Sequence, residues 1–181
     1  NMSERIGKDM IEIRWHGRGG QGAFTAAKLL GAAYALKGDG YHALAFPSFG
    51  PERRGAPVRA FTKLDSKPVL DRSETELADY IIILDETLYS ESLEQHLKPN
   101  GKVIINTRSA ENDRDVAFDG SSIAEKFRLP TVNTVMLGKA AAVSGIVSEK
   151  DIFGAIDGYM PEKIREKNKT AVKNAYEGAE K

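Results

Sequence analysis

The chain has 181 residues, enough for one compact domain with an appendage, and at that size it buries roughly 70% of its unfolded surface without a disulfide or metal staple. It has no cysteine, which excludes a disulfide framework, a cysteine-held iron–sulfur cluster, a thiolate zinc site and a cysteine nucleophile. Lys plus Arg equals Asp plus Glu at 26 each, no apolar run nears the roughly 18 residues of a membrane span, and the polar start "NMSERIGKDM" is no signal peptide; the expectation is a soluble, cytoplasmic protein that binds neither nucleic acid nor membrane.

Met10 to Trp15 alternates, with Ile11, Ile13 and Trp15 on one side and Glu12, Arg14 and His16 on the other, which predicts a strand with one buried face. "HGRGGQG" follows, and Gly17, Gly19 and Gly22 satisfy G-x-G-x-x-G. A helix is expected from about Gln21 to Leu36, with Ala26, Leu29, Ala33 and Leu36 on one stripe and Gly38-Asp39-Gly40 ending it. Tyr41 to Phe46 reads as a second strand, "PSFGPERRGAP" as a stiff loop, and Val58 to Leu64 as a third strand. Asp65 to Asp79 is ambiguous, with a short strand at "PVL" and a helical turn at Ser73 to Ala78 as its options.

Tyr80 to Leu84, "YIIIL", is continuously apolar and suits a parallel strand covered on both faces. A helix over Thr87 to Leu97, a strand "KVIIN" at Lys102 to Asn106, a charged loop with a short strand at Val116 to Phe118, and a helix over Ser122 to Phe127 follow. Asn133 to Ser144 is a small-residue helix, Ser148 caps another with Asp151 at N3, and Pro161 starts the last. The expected fold is α/β: a three-layer, largely parallel open sheet with helices on both faces, Rossmann-like, plus a C-terminal helical tail. The boundaries read as an α/β unit over 1–147 and a helical segment over 148–181, packed on that unit or on a partner.

The glycine turn favours anions, because glycines permit positive φ and a helix N-terminus presents amide N–H groups. A close-packing turn, a cofactor fragment and a dinucleotide all fit its pattern. A dinucleotide fold also needs a carboxylate at the end of the second strand, and Phe46-Pro47-Ser48 supplies none. Gly38-Asp39-Gly40 opens a thiamine diphosphate motif, but the motif needs a later Asn, and none occurs between Tyr41 and Pro99. Adjacent Arg53 and Arg54, beside Glu52 in a proline-held loop, suit a phosphate, a carboxylate or a partner surface. The histidines are scattered without metal-ligand spacing, and no G-x-S-x-G, H-E-x-x-H or Walker lysine occurs. Asp85 is the best lone carboxylate, with capping of the next helix as its plain role.

"GRGGQGAFTAAKLLGAAYALKG", "PSFGPERRGAPVRAF", "YIIILDETL" and "NTVMLGKAAAVSG", in that order over about Ile11 to Gly145, resemble the gamma subunit of 2-oxoacid:ferredoxin oxidoreductases. "GPERRGAP" resembles the pyruvate branch more than the 2-oxoglutarate or indolepyruvate branches, where a second glycine commonly stands in place of Ala56. The resemblance implies a chain inactive alone, within a complex that oxidatively decarboxylates a 2-oxoacid with coenzyme A to acyl-CoA, carbon dioxide and reduced ferredoxin. It implies that alpha, beta and delta partners carry thiamine diphosphate and iron–sulfur clusters. Within this chain, the amides of Gly17, Gly19, Gly20, Gln21 and Gly22 and the guanidiniums of Arg53 and Arg54 are the expected CoA contacts. Pure assembly without a ligand site and an autonomous dinucleotide-binding oxidoreductase are the alternatives.

Overall fold

The computed structural model describes residues 10–50, 53–109 and 115–178; Glu52 of the arginine loop and the polar N-terminus lie outside them. Six strands form one sheet in the order β2-β3-β1-β4-β5-β6. They are β1 (Ile11–Arg18), β2 (His42–Pro47), β3 (Pro57–Asp65), β4 (Ala78–Ile83), β5 (Leu97–Asn106) and β6 (Asp115–Phe118). β1, β4, β5 and β6 are mutually parallel, and β3 alone runs against its neighbours β1 and β2. The sheet is therefore largely parallel, as the alternation of elements predicts. The antiparallel β3 wedged between β1 and β2 is not foreseen by that alternation.

Five α-helices are present among the described residues: α1 (Ala23–Ala35), α2 (Gly120–Lys126), α3 (Asn133–Ser144), α4 (Glu149–Tyr159) and α5 (Glu162–Gly178). All contribute to a single apolar core against one face of the sheet, where they meet Ile13, Trp15, Leu64, Ile82 and Ile104. Small residues set the helix spacing. Ala26, Ala27 and Ala33 let α1 lie close on the sheet, and Gly138 lets α3 reach the backbone of α5 at Val172. Ala171, Val172 and Ala175 of α5 are buried in this same core. α4 begins with a capping box, in which the Ser148 hydroxyl accepts from the Asp151 amide at 3.2 Å and the Ser148 amide donates to the Asp151 carboxylate at 2.9 Å.

The other face is covered differently from expectation. In place of an α-helix over Thr87 to Leu97, two 3-10 helices occur, Glu86–Leu88 and Glu91–His96. Tyr89 and Ser90 are extended and break the run, while Leu88, Tyr89 and Leu93 turn onto the apolar pair Ile81 and Ile83 of β4. Since Ile82 and Leu84 enter the helical core, "YIIIL" is covered on both faces, as its composition requires. Residues 66–77 form neither the strand nor the helical turn offered for them. They lie as a strap across the second face of β1 and β3, held by Thr75 on Glu12 (3.3 Å), Glu74 on Arg59 (3.5 Å) and Asp71 on the buried Lys63 (3.2 Å).

That strap corrects the reading of β1. Its polar face is not solvated: Arg14 is 3% exposed and His16 8%. Burial first, then the neighbouring charges of Arg14 and Arg59 and the His96 ring, hold His16 down at about 3 against its ordinary 6.5. A depressed folded value means that below pH 6.5 the unfolded chain gains a proton the folded chain refuses, so stability falls as pH drops from 6.5 towards 3. His16 alone is expected to remove about 2 kcal/mol between pH 6.5 and about pH 5. Denaturant unfolding of His16→Gln checks this: its stability should decline less steeply across that interval than the parent's, and an unchanged slope would contradict the assignment.

Candidate functional site at the carboxyl edge of the sheet

The motifs that lie far apart in sequence meet at the carboxyl ends of β1 and β4. β1 runs past Trp15 to Arg18, so Gly17 lies within the strand, paired with Val58. The turn proper is Gly19 to Gly22. Gly19 forms a bridge with Arg54: its amide donates to Ala56 O at 2.8 Å, and the Gly55 amide donates to Gly19 O at 3.1 Å. A Cβ at Gly19 would overlap the Arg53 carbonyl, so the close approach of the two backbones demands glycine there. Gly22 is the N-cap of α1 at φ 80, a left-handed conformation, and its carbonyl accepts from Asn133 Nδ2 at 3.3 Å. Thus the "NTVM" segment also touches the turn.

Gln21 is accounted for. Its Oε1 accepts from the Arg18 amide at 2.7 Å, and its Nε2 donates to Asp85 Oδ2 over a long 3.4 Å. Asp85, at the end of β4, also accepts from the Thr87 amide (3.0 Å) and hydroxyl (2.6 Å) and pairs with Arg18 Nε at 3.3 Å. Asp85 does cap the element that follows, which is a 3-10 helix. Burial pushes its pKa up; the Thr87 hydroxyl and amide, Arg18 and Gln21 outweigh this and hold it below the ordinary carboxylate value. Arg53 and Arg54 are exposed, and neither guanidinium has an ion-pair partner among the described residues. The structure brings these arginines to the glycine turn through their backbones, and the Arg54 side chain also runs beside Gly20.

β1 leads into α1 on the helical face, and β4 leads into the 3-10 helices on the opposite face. Adjacent parallel strands that part in this way leave a crevice at their carboxyl ends, the common ligand position in open α/β sheets. Three cavities lie at this edge; one of about 280 Å³ is lined by Gly20, Gln21, Leu129 and Thr131, with Glu125 as its charged residue. The one between β1, β4 and β5, about 460 Å³, is acid-rich: Asp85, Glu86, Asp119 and Glu125 face it with Arg108. Such a lining repels phosphate. The third, also about 280 Å³, lies by the arginine loop, between Phe24 at the start of α1, Ser48, Phe49 and Arg59. It joins apolar rings, a guanidinium and a helix start that has neither a side-chain cap nor an acidic residue in its first turn. Arg59 and Ser48 escape a reading by motif, since strand alternation gives Arg59 only as an outward residue of β3; Ser48 N donates to Arg59 O at 2.9 Å across the loop base.

The dinucleotide layout is absent at this turn. The strand beside β1 on the α1 side is the antiparallel β3, so β2, whose tip would carry a ribose carboxylate, is one strand removed. Gly38-Asp39-Gly40 lies in an exposed turn between α1 and β2, away from this edge.

Residues 12–178 match the sequence pattern of the family described as pyruvate ferredoxin/flavodoxin oxidoreductase. The chain is 47% identical to the pyruvate synthase subunit PorC of Methanothermobacter thermautotrophicus, over 95% of this chain and 97% of that one. It is 39% identical to the common gamma subunit of the pyruvate/ketoisovalerate oxidoreductases of Pyrococcus furiosus, over 94% and 98%. The crystal structure of pyruvate oxidoreductase subunit PORC from Thermotoga maritima superimposes with a TM-score of 0.79 at 32% identity, covering 93% of this chain and 96% of that chain.

Proposed function

The chain belongs to the pyruvate ferredoxin/flavodoxin oxidoreductase family, and on that premise we propose that it works as the gamma subunit of a multi-subunit pyruvate:ferredoxin oxidoreductase. The complex oxidatively decarboxylates a 2-oxoacid, pyruvate first, with coenzyme A, giving acyl-CoA, carbon dioxide and reduced ferredoxin. Alpha, beta and delta partners supply thiamine diphosphate and the iron–sulfur clusters; this chain has no cysteine to hold a cluster. It is inactive alone and contributes to assembly and to CoA binding. A cytoplasmic location belongs to the same reading, and cell fractionation tests it.

One observation carries the binding part: the Gly19–Arg54 junction. It joins two motifs that are each unspecific into one edge, with two exposed arginines in the loop and the uncapped start of α1 lining the ring-lined cavity. CoA carries a diphosphate and a 3′-phosphate, and arginine forks and helix N-termini are suited to both. Carboxylates face both of the other cavities, Glu125 being common to the two, which favours the arginine-loop side for an anion.

Replacing Arg53 and Arg54 together by alanine is expected to raise the KM for CoA about tenfold or more in the assembled complex, with subunit recovery unchanged. An unchanged KM would contradict CoA binding here. Poor assembly of the double variant would instead favour the loop as a subunit contact without a ligand. Binding of NADH by the isolated chain would revive the dinucleotide alternative.

A further inference from the structure

Arg18 has no place in the expected set of contacts, yet its side chain ties two other loops to the glycine turn. Its Nη1 donates to Gly55 O at 3.1 Å, its Nη2 donates to Thr87 Oγ1 at 2.9 Å, and its Nε pairs with Asp85 at 3.3 Å. The Asp85 Oδ2 that receives Arg18 also receives Gln21 Nε2, and Gln21 Oε1 returns to the Arg18 amide. The ring is closed by Thr87, whose hydroxyl accepts from Arg18 and donates to Asp85. One carboxylate at the tip of β4 is thereby tied to the glycine turn through Gln21 and to the arginine loop through Arg18 and Gly55. The two side chains are only 33% and 22% exposed, so solvent weakens the pair without dissolving it.

We propose that Asp85 is a positioning residue whose carboxylate, acting through Arg18 and Gln21, fixes the arginine loop and the glycine turn relative to each other. Its consequence for catalysis rests on the reading of that edge as a CoA contact. Arg53 and Arg54 make no ion pair among the described residues, so their placement depends on the loop backbone. That backbone is held by Gly19 on one side and by Arg18 on the other. A polar ring of this kind moves as a unit, so loss of one member loosens both segments.

The test is Asp85→Asn in the full chain, read by hydrogen exchange, and in the assembled complex, read by kinetics. Two amides report directly: Gly55, donated to Gly19 O, and Arg18, donated to Gln21 Oε1. Both are expected to exchange about tenfold faster, with the amides of β4 and β5 unchanged. The KM for CoA should rise about threefold to tenfold without a matching fall in kcat. Thr87→Val, which removes the hydroxyl from the ring and leaves the carboxylate in place, should give the same pattern in smaller degree and serves if Asp85→Asn folds poorly. Parental exchange at Gly55 and Arg18 in a folded variant would overturn the proposal. A raised KM in the arginine double variant with none in Asp85→Asn would overturn it too. Accelerated exchange in Asp85→Asn with an unchanged KM in the arginine double variant would uphold the positioning role and remove the CoA reading instead.

Discussion

Gly19→Val is expected to destabilise the chain by about 3 kcal/mol and to lower its Tm by roughly 6–12 °C. Gly19 is buried, and any Cβ on it meets the carbonyl carbon and oxygen of Arg53, which are backbone atoms that cannot rotate aside. The strand and the loop must separate, which forfeits the amide bonds from Gly19 to Ala56 and from Gly55 to Gly19. Differential scanning calorimetry of the isolated chain measures the loss. Gly20→Ala provides the contrast. Gly20 has φ 93 but open surroundings, its nearest neighbour for a Cβ being Arg54 Cγ at 3.9 Å. Only left-handed strain applies there, about 1 kcal/mol. Equal losses in the two variants would show that the turn needs glycine for its φ alone and that the junction with the arginine loop is incidental.

Trp15→Ala is expected to cost about 4 kcal/mol. Trp15 is the single tryptophan, is completely buried in the centre of the helical core, and donates from Nε1 to Thr62 Oγ1 at 3.0 Å. The Thr62 hydroxyl in turn donates to Ala27 O on α1 at 3.0 Å. The ring therefore anchors β1, β3 and α1 together, directly beneath the glycine turn. Its removal leaves both a cavity and a less satisfied polar pair. Trp15→Phe, which retains most of the volume and loses the N–H, should cost about 1–2 kcal/mol. Urea titration followed by far-ultraviolet circular dichroism separates the two. A loss below about 1 kcal/mol for Trp15→Ala would mean that the core closes over the site and that β1 is held by the sheet alone.

Local patterning made much of this fold legible. The alternation of Ile11, Ile13 and Trp15, the unbroken "YIIIL" and the Ser148–Asp151 cap each rest on neighbours in sequence, and each has its expected place. What was not legible depends on partners far along the chain. Nothing in Pro57 to Asp65 says that it inserts between β1 and β2, because strand order follows from how α1 and the β2–β3 hairpin pack. The burial of Arg14 and His16 depends on segments some 60 to 80 residues later, with Glu74 of the strap near Arg14 and His96 of the second 3-10 helix near His16. The same holds for the site. The glycine and arginine motifs were visible as strings, and the structure joins them at Gly19 and Arg54. Arg18 was hidden, because its meaning comes only from the adjacency of β1 and β4 that sets it against Asp85. The Gln21 side chain is engaged within the turn and on Asp85, a role its place in the glycine motif does not announce.

The central claim is that this chain works as one subunit of an oxidoreductase complex whose chemistry is carried by its partners. Affinity purification of the chain from its native source, under anaerobic conditions, tests it most directly. The account predicts recovery with stoichiometric partner chains that bear thiamine diphosphate and iron–sulfur clusters, and CoA-dependent pyruvate oxidation in that preparation but not in the isolated chain. Recovery of the chain alone, or pyruvate oxidation by the isolated chain, would contradict it.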